Sequence, residues 1–113
     1  MTAADPKVVL VTGASGGVGR GIAIACGLSG WTVWIAARRE AQAAEVAAEV
    51  DAAGGTGRSV ACDVADPASV REAVAAAAAT DGRLDGVVHN QIVVPEVTRH
   101  WARVALDRML TIQ

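Results

Sequence analysis

The 113-residue chain contains no tyrosine and no phenylalanine, and its aromatic residues are three tryptophans. No phenol is therefore on hand as a proton donor, and the core has to be built from Val, Ile, Leu and Ala. Lysine occurs once, as Lys7, and no serine lies beyond Ser69. Two cysteines, Cys26 and Cys62, and two histidines, His89 and His100, stand too far apart for metal-type spacing. Buried, reduced thiols are the reading of the cysteines, with a disulfide or a reactive thiol as alternatives. No apolar run approaches the roughly 18–20 residues of a membrane span. The start, Met1-Thr2-Ala3-Ala4-Asp5-Pro6-Lys7, lacks the charged head and apolar middle of a secretory leader, so the cytoplasm is the expected compartment. A net charge of −2 without a basic patch argues against a nucleic-acid partner, and nothing calls for a membrane.

What is present is 52% apolar, ample for one domain over residues 1–113. Its pattern alternates. Residues 7–12 read as a strand apolar on both faces, and 17–29 as a helix stopped by Gly30. A second strand is expected over 31–36, a helix over 39–53 ended by Gly54-Gly55, and a short third strand over 59–62. Asp66-Pro67 has the form of an N-cap followed by proline at the first helical position, opening a helix to about residue 79 that Thr80-Asp81-Gly82 breaks. A fourth strand follows over 84–89, and a tail helix over 96–112 with Val97, Trp101, Val104 and Met109 roughly on one face. Such alternation predicts a Rossmann-like, three-layer α/β/α fold on a parallel sheet ordered 3-2-1-4. The fourth strand would then be an edge, covered by the tail helix or by a second copy of the chain.

Three local features point to an anionic ligand. The first is Thr12-Gly13-Ala14-Ser15-Gly16-Gly17-Val18-Gly19, set between a buried strand and a helix. Gly13 permits a sharp exit from the strand, Gly17 removes a Cβ where a pyrophosphate would collide, and Gly19 lets the helix pack close. Thr12 and Ser15 can hydrogen-bond in the turn or to a ligand. A tight turn without a ligand is the plainer alternative. The second is Ala37-Arg38-Arg39 after the second strand. An acidic residue there would bind ribose hydroxyls, whereas arginine suits a 2′-phosphate, so NADP(H) is favoured over NAD(H). Solvation of a helix start is the alternative for the two arginines. The third is Asp63-Val64 after the third strand, a carboxylate for an adenine amino group beside an apolar wall, or simply a turn-forming Asp.

At these positions the chain resembles the short-chain dehydrogenases/reductases. The glycine run from Gly13 through Ser15, Gly16, Gly17 and Val18 to Gly19 is similar to that family's cofactor loop. Arg38 falls at the position that selects NADP in many members, Asp63-Val64 at the adenine-contacting pair, and Asn90 at the asparagine of the Asn-Asn-Ala-Gly motif. The resemblance covers about residues 7–90. It implies a doubly wound fold and hydride transfer between NADP(H) and an alcohol or carbonyl.

The departures are chemical. Asn90 is followed by Gln91-Ile92 rather than Ala-Gly, and the family's Ser, Tyr and Lys have no counterparts. Histidine is the side chain that ordinarily changes charge near neutrality, but local hydrogen bonding and solvation explain His89 and His100 as well. Asp81, Asp85 and Glu96 form no evident acid pair. No catalytic residue and no metal ligand is assigned. The first reading is an NADP-dependent oxidoreductase by descent, in a truncated or internally deleted form. The second is a non-catalytic nucleotide-binding or oligomerisation module. A doubly wound domain with no nucleotide is a third.

Overall fold

All five residues of the first strand, Val8–Thr12 (β1), are buried, as a strand covered on both faces requires. A computed structural model of the chain describes residues 6–14 and 17–89, with His89 described by its backbone alone. After β1 come α1 (Gly17–Leu28), β2 (Thr32–Ala37), α2 (Glu40–Ala52), β3 (Thr56–Ala61), α3 (Pro67–Asp81) and β4 (Gly86–His89). The strands form one parallel sheet in the order β3-β2-β1-β4. The fold is thus the expected Rossmann-like arrangement. The expected tail helix, with Trp101 and Met109, lies outside the described residues. Among the described residues no helix is long and apolar enough to cross a membrane.

Alternation along the strands divides the core into two layers. Val8, Leu10, Trp34 and Ala36 face α3, where Val70, Ala73, Val74, Ala77 and Ala78 meet them. Val9, Val11, Val33 and Ile35 face the other way, onto Ala23 of α1 and Ala43, Val46, Ala47 and Val50 of α2. Leu10 and Ile35 are wholly buried, each contributing about 1.5–3 kcal/mol of hydrophobic stabilisation. The alanine run 75–79 is mixed: Ala77 and Ala78 belong to the packing face.

Most element ends fall within one or two residues of expectation, but β3 begins three residues early, at Thr56. Thr56-Gly57-Arg58 has no apolar alternation. Its strand conformation comes from pairing with β2, Gly57 opposite Val33 and Arg58 opposite Trp34. The Gly57 N–H also donates to Asp51 Oδ1 at 2.7 Å. A Cβ at Gly57 would stand 2.6 Å from the Ala47 carbonyl carbon, so α2 lies on this strand as closely as glycine allows.

The third helix also runs further than expected, through Thr80 and Asp81, to Gly82 at φ 72°. Asp81 is held in the last turn by the Trp34 indole N–H, 2.6 Å from Oδ2, and by Arg58, 3.2 Å from Oδ1. The Arg58 guanidinium also lies 5.9 Å from the centre of the Trp34 ring. These long-range partners outweigh the weak helix preference of Thr and Asp.

Candidate dinucleotide site

In a parallel sheet every strand ends at the same edge. Thr12 is level with Ala36 of β2 and with His89 of β4, and Ala37 of β2 is level with Ala61 of β3. The residues after β1, β2 and β3 are therefore gathered along one edge: Gly13, then Arg38 and Arg39, then Asp63 and Val64. From β1 the chain winds outward through β2 and β3, then returns to β4 on the other side of β1. The glycine turn after β1 thus stands at the topological switch point, where open α/β sheets form a crevice.

Within the turn, Gly13 has φ 64° and Gly17 has φ 61°, the left-handed region that disfavours side chains. Ala14, between them in sequence, is fully buried, and so is Thr12 at the end of β1. The direction a Cβ would take from Gly17 is open, with no heavy atom within 4 Å. Gly17 begins α1, whose first-turn N–H groups have no acceptor within the helix and carry its positive end. No acidic residue stands in that turn to offset it. Val18 is 71% exposed, an apolar side chain at the mouth of the turn. Gly19, Ala23 and Gly27 form the buried stripe of α1, and a Cβ at Gly27 would come within 2.9 Å of Val50 Cγ1. The small stripe seats α1 low on the core. Ser15, Gly16 and Asn90 lie outside the described residues.

Arg38 and Arg39 are exposed beyond β2. Arg39 is the N-cap residue of α2, where its carbonyl accepts from Gln42 and Ala43 while its side chain caps nothing. The ion pairs among the described residues engage other arginines: Arg20 with Glu49, Arg58 with Asp81, Arg83 with Asp85. Among the described residues, these two adjacent guanidiniums at the site edge therefore take part in no ion pair.

Asp63 is half-buried at a tight corner between β3 and α3. Its carboxylate Oδ1 accepts from Ala65 N at 3.0 Å and its carbonyl accepts from Asp66 N at 3.0 Å. The turn-forming role is therefore real. Among the described residues Oδ2 carries no hydrogen bond, so the turn leaves one carboxylate oxygen over. Val64 packs partly on the α3-side core. Sequence reasoning missed Ser69, whose hydroxyl accepts from Asp63 N at 2.9 Å. Its spacing, six residues after the Asp and in the first turn after Asp66-Pro67, was the available signal.

The remaining polar groups have structural duties. Asp85 Oδ2 accepts from Val8 N at 2.7 Å, while Asp85 N donates to Val8 O at 2.7 Å. Arg83 binds the same carboxylate with both arms of its guanidinium, at 2.9 and 2.7 Å, and holds its pKa below the usual carboxylate range. This clamp ties the approach to β4 onto the start of β1, at the edge away from the glycine turn. Cys26 and Cys62 are free thiols, half-buried and buried. Burial pushes both thiols up, so neither is an activated nucleophile at neutral pH. Among the described residues no group of three or more His, Cys, Asp or Glu could hold a metal. Trp34 and Trp31 are poor reporters for the site, because Trp31 precedes β2 and the Trp34 indole reaches the far end of α3.

Known proteins resemble this chain in sequence and in fold. The family model described as short chain dehydrogenase matches residues 7–112. A 3beta-hydroxysteroid dehydrogenase of Mediterraneibacter gnavus is 39% identical over 90 residues, 80% of this chain and 33% of that protein. A D-threitol dehydrogenase of Mycolicibacterium smegmatis is 45% identical over 87 residues, 76% of this chain and 33% of that one. The crystal structure of a short-chain type dehydrogenase/reductase from Mycobacterium marinum superposes with a TM-score of 0.84 at 27% identity, covering 93% of this chain and 51% of that one. The chain thus spans about a third of the length of these curated relatives. With the sheet order, the glycine turn at its switch point and a match along nearly its whole length, this chain belongs to the short-chain dehydrogenase family.

Proposed function

We propose that this chain binds NADP(H) in preference to NAD(H), through Gly13, Ser15, Gly16, Gly17, Val18, Gly19, Arg38, Arg39, Asp63, Val64 and Asn90. The observation that carries the reading is the open, positive-φ turn at Gly17, with the amino end of α1 behind it and no acidic residue in that first turn. Gly17 and the first-turn amides would receive the pyrophosphate. Exposed Val18 would be covered at the mouth of the turn. Arg38 and Arg39 would take the 2′-phosphate, and Asp63 Oδ2 with Val64 the adenine. When bound, the cofactor supplies or accepts a hydride, which in this family passes between it and an alcohol or carbonyl. The 113 residues contain no Tyr, and their one Lys, Lys7, sits before β1, at the edge away from the turn. We therefore read this chain alone as binding the cofactor without turning it over. Its two unpaired thiols suit a reducing compartment such as the cytoplasm.

Titration by calorimetry, and by the cofactor's own emission, tests the reading. NADPH should bind more tightly than NADH, with no oxidation of NADPH on adding simple aldehydes or ketones. Binding of neither cofactor would sink the site. Rapid carbonyl reduction would mean that a substitute acid exists among these residues.

A further inference from the structure

We propose that the Ser69 hydroxyl is a positioning group for the adenine end of this site: by accepting the Asp63 N–H it holds the corner that carries Asp63 and Val64. The inference rests on the nucleotide-binding reading above and deepens it. Ser69 lies on α3, in the layer beneath the edge, and is half-buried. Its Oγ is 2.9 Å from Asp63 N. Its carbonyl faces the Cys62 thiol, with Sγ 3.9 Å away. One residue of α3 therefore fastens two consecutive residues beyond the end of β3.

Val64 packs partly on the α3-side core, and among the described residues the corner's other hydrogen bonds are short-range. Asp63 O accepts from Asp66 N, Asp63 Oδ1 from Ala65 N, and Asp66 Oδ1 from Ala68 N. These bonds, with Val70 N to Asp66 O, shape the turn and join its last residue, the N-cap Asp66, to the first turn of α3, while leaving the Asp63 N–H to Ser69. The Ser69 hydroxyl bond joins the turn's first residue to the helix body six positions on. Without it, Asp63 N–H must find water, and Oδ2, which bonds to none of the described residues, loses its fixed bearing. A ligand that uses Oδ2 would then have to restore that order on binding.

The test is made on the 113-residue chain with Ser69→Ala, Ser69→Cys and Ser69→Thr. Threonine keeps the hydroxyl, and cysteine keeps the size with a far weaker acceptor. The probes are NADPH, adenosine 2′,5′-bisphosphate and inorganic pyrophosphate, with thermal melting to confirm that each variant is folded. Ser69→Ala and Ser69→Cys should weaken NADPH and the bisphosphate alike, by about 3- to 10-fold, the range of one hydrogen bond. Pyrophosphate should be unaffected, and Ser69→Thr should stay within about twofold of the parent. In an Asp63→Ala background the Ser69→Ala loss should vanish, because the two residues act as one unit.

Should Ser69→Ala fail to fold, Ser69→Cys against Ser69→Thr carries the comparison. If the parent binds NADPH and the hydroxyl-less variants bind it equally well, the positioning role is overturned while the nucleotide site stands. A loss of equal size in the Asp63→Ala background also overturns it, since Ser69 would then act elsewhere. If the parent binds neither NADPH nor the bisphosphate, the nucleotide reading itself has failed and this inference falls with it.

Discussion

Replacing Arg38 by alanine should weaken NADPH about tenfold and leave NADH within about twofold. The size follows from where the guanidinium stands. It is exposed at the end of β2 and takes part in none of the ion pairs among the described residues. Among the described residues, no carboxylate has to be given up when a phosphate arrives. A charge-assisted hydrogen bond in a shielded setting is worth about 1.5–3 kcal/mol. A fully exposed ion pair is worth about 0.2–1 kcal/mol. Arg38 lies between these limits, because a docked 2′-phosphate would exclude some water while leaving the side chain at the surface. About 1.4 kcal/mol, or tenfold, is the consistent figure.

Two features keep the loss from being larger. Arg39 is next in the chain, at the N-cap position of α2, whose first-turn amides add positive potential that Glu40 offsets in part. Both remain in Arg38→Ala, so some preference for NADPH should survive and should disappear in the Arg38→Ala/Arg39→Ala double variant. Stability should hardly move, since an exposed side chain that pairs with no carboxylate among the described residues is removed. Calorimetric titration at about 0.1 M and about 1 M salt is the assay, because screening shortens from about 10 to about 3 Å over that range. The gap between parent and variant for NADPH should close at the higher salt. Equal losses for NADPH and NADH would refute the phosphate role, as would a loss that ignores salt.

Two further outcomes test the scaffold. Gly57→Ala should destabilise the chain by about 2 kcal/mol or more, read from urea unfolding, because the new Cβ meets the Ala47 backbone and cannot be relieved by a rotamer change. The Asp85 clamp should show in pH dependence. Its folded pKa is depressed, so the stability it contributes is full above the ordinary carboxylate pKa of about 4 and is lost as pH falls through the lower folded value. The stability difference between the parent and Asp85→Asn should therefore be constant from pH 7 to about 5 and shrink below about 4. A difference that grows with acidity would contradict the assigned sign.

How much of this was legible in the chain depends on the range over which each signal acts. The buried run Val8-Val9-Leu10-Val11, the Asp66-Pro67 start and the Gly30 stop are local statements, and the structure follows them closely. The candidate site was legible for a topological reason. Its pieces are far apart in sequence, but each follows a strand, and parallel strands deliver all their carboxyl ends to one edge. A reader who infers a parallel sheet has therefore already collected Gly13, Arg38 and Asp63 in space.

The parts that stayed hidden are side-chain bonds between elements, which leave no periodicity. Val8 and Asp85 meet across 77 positions, and Trp34 and Asp81 across 47. Thr56-Gly57-Arg58 hid for the converse reason: an edge strand pressed under a helix needs a missing Cβ more than an apolar pattern. Ser69 is intermediate. Six residues from Asp63 it is local, yet its bond exists only because the chain turns from strand to helix between them. Tests of site residues should therefore be paired with tests of the residues that hold them. Arg38 reaches out from a strand end and should act nearly alone, so its loss should add to that of Ser69→Ala. Asp63 is fixed by its neighbours, so its loss should not.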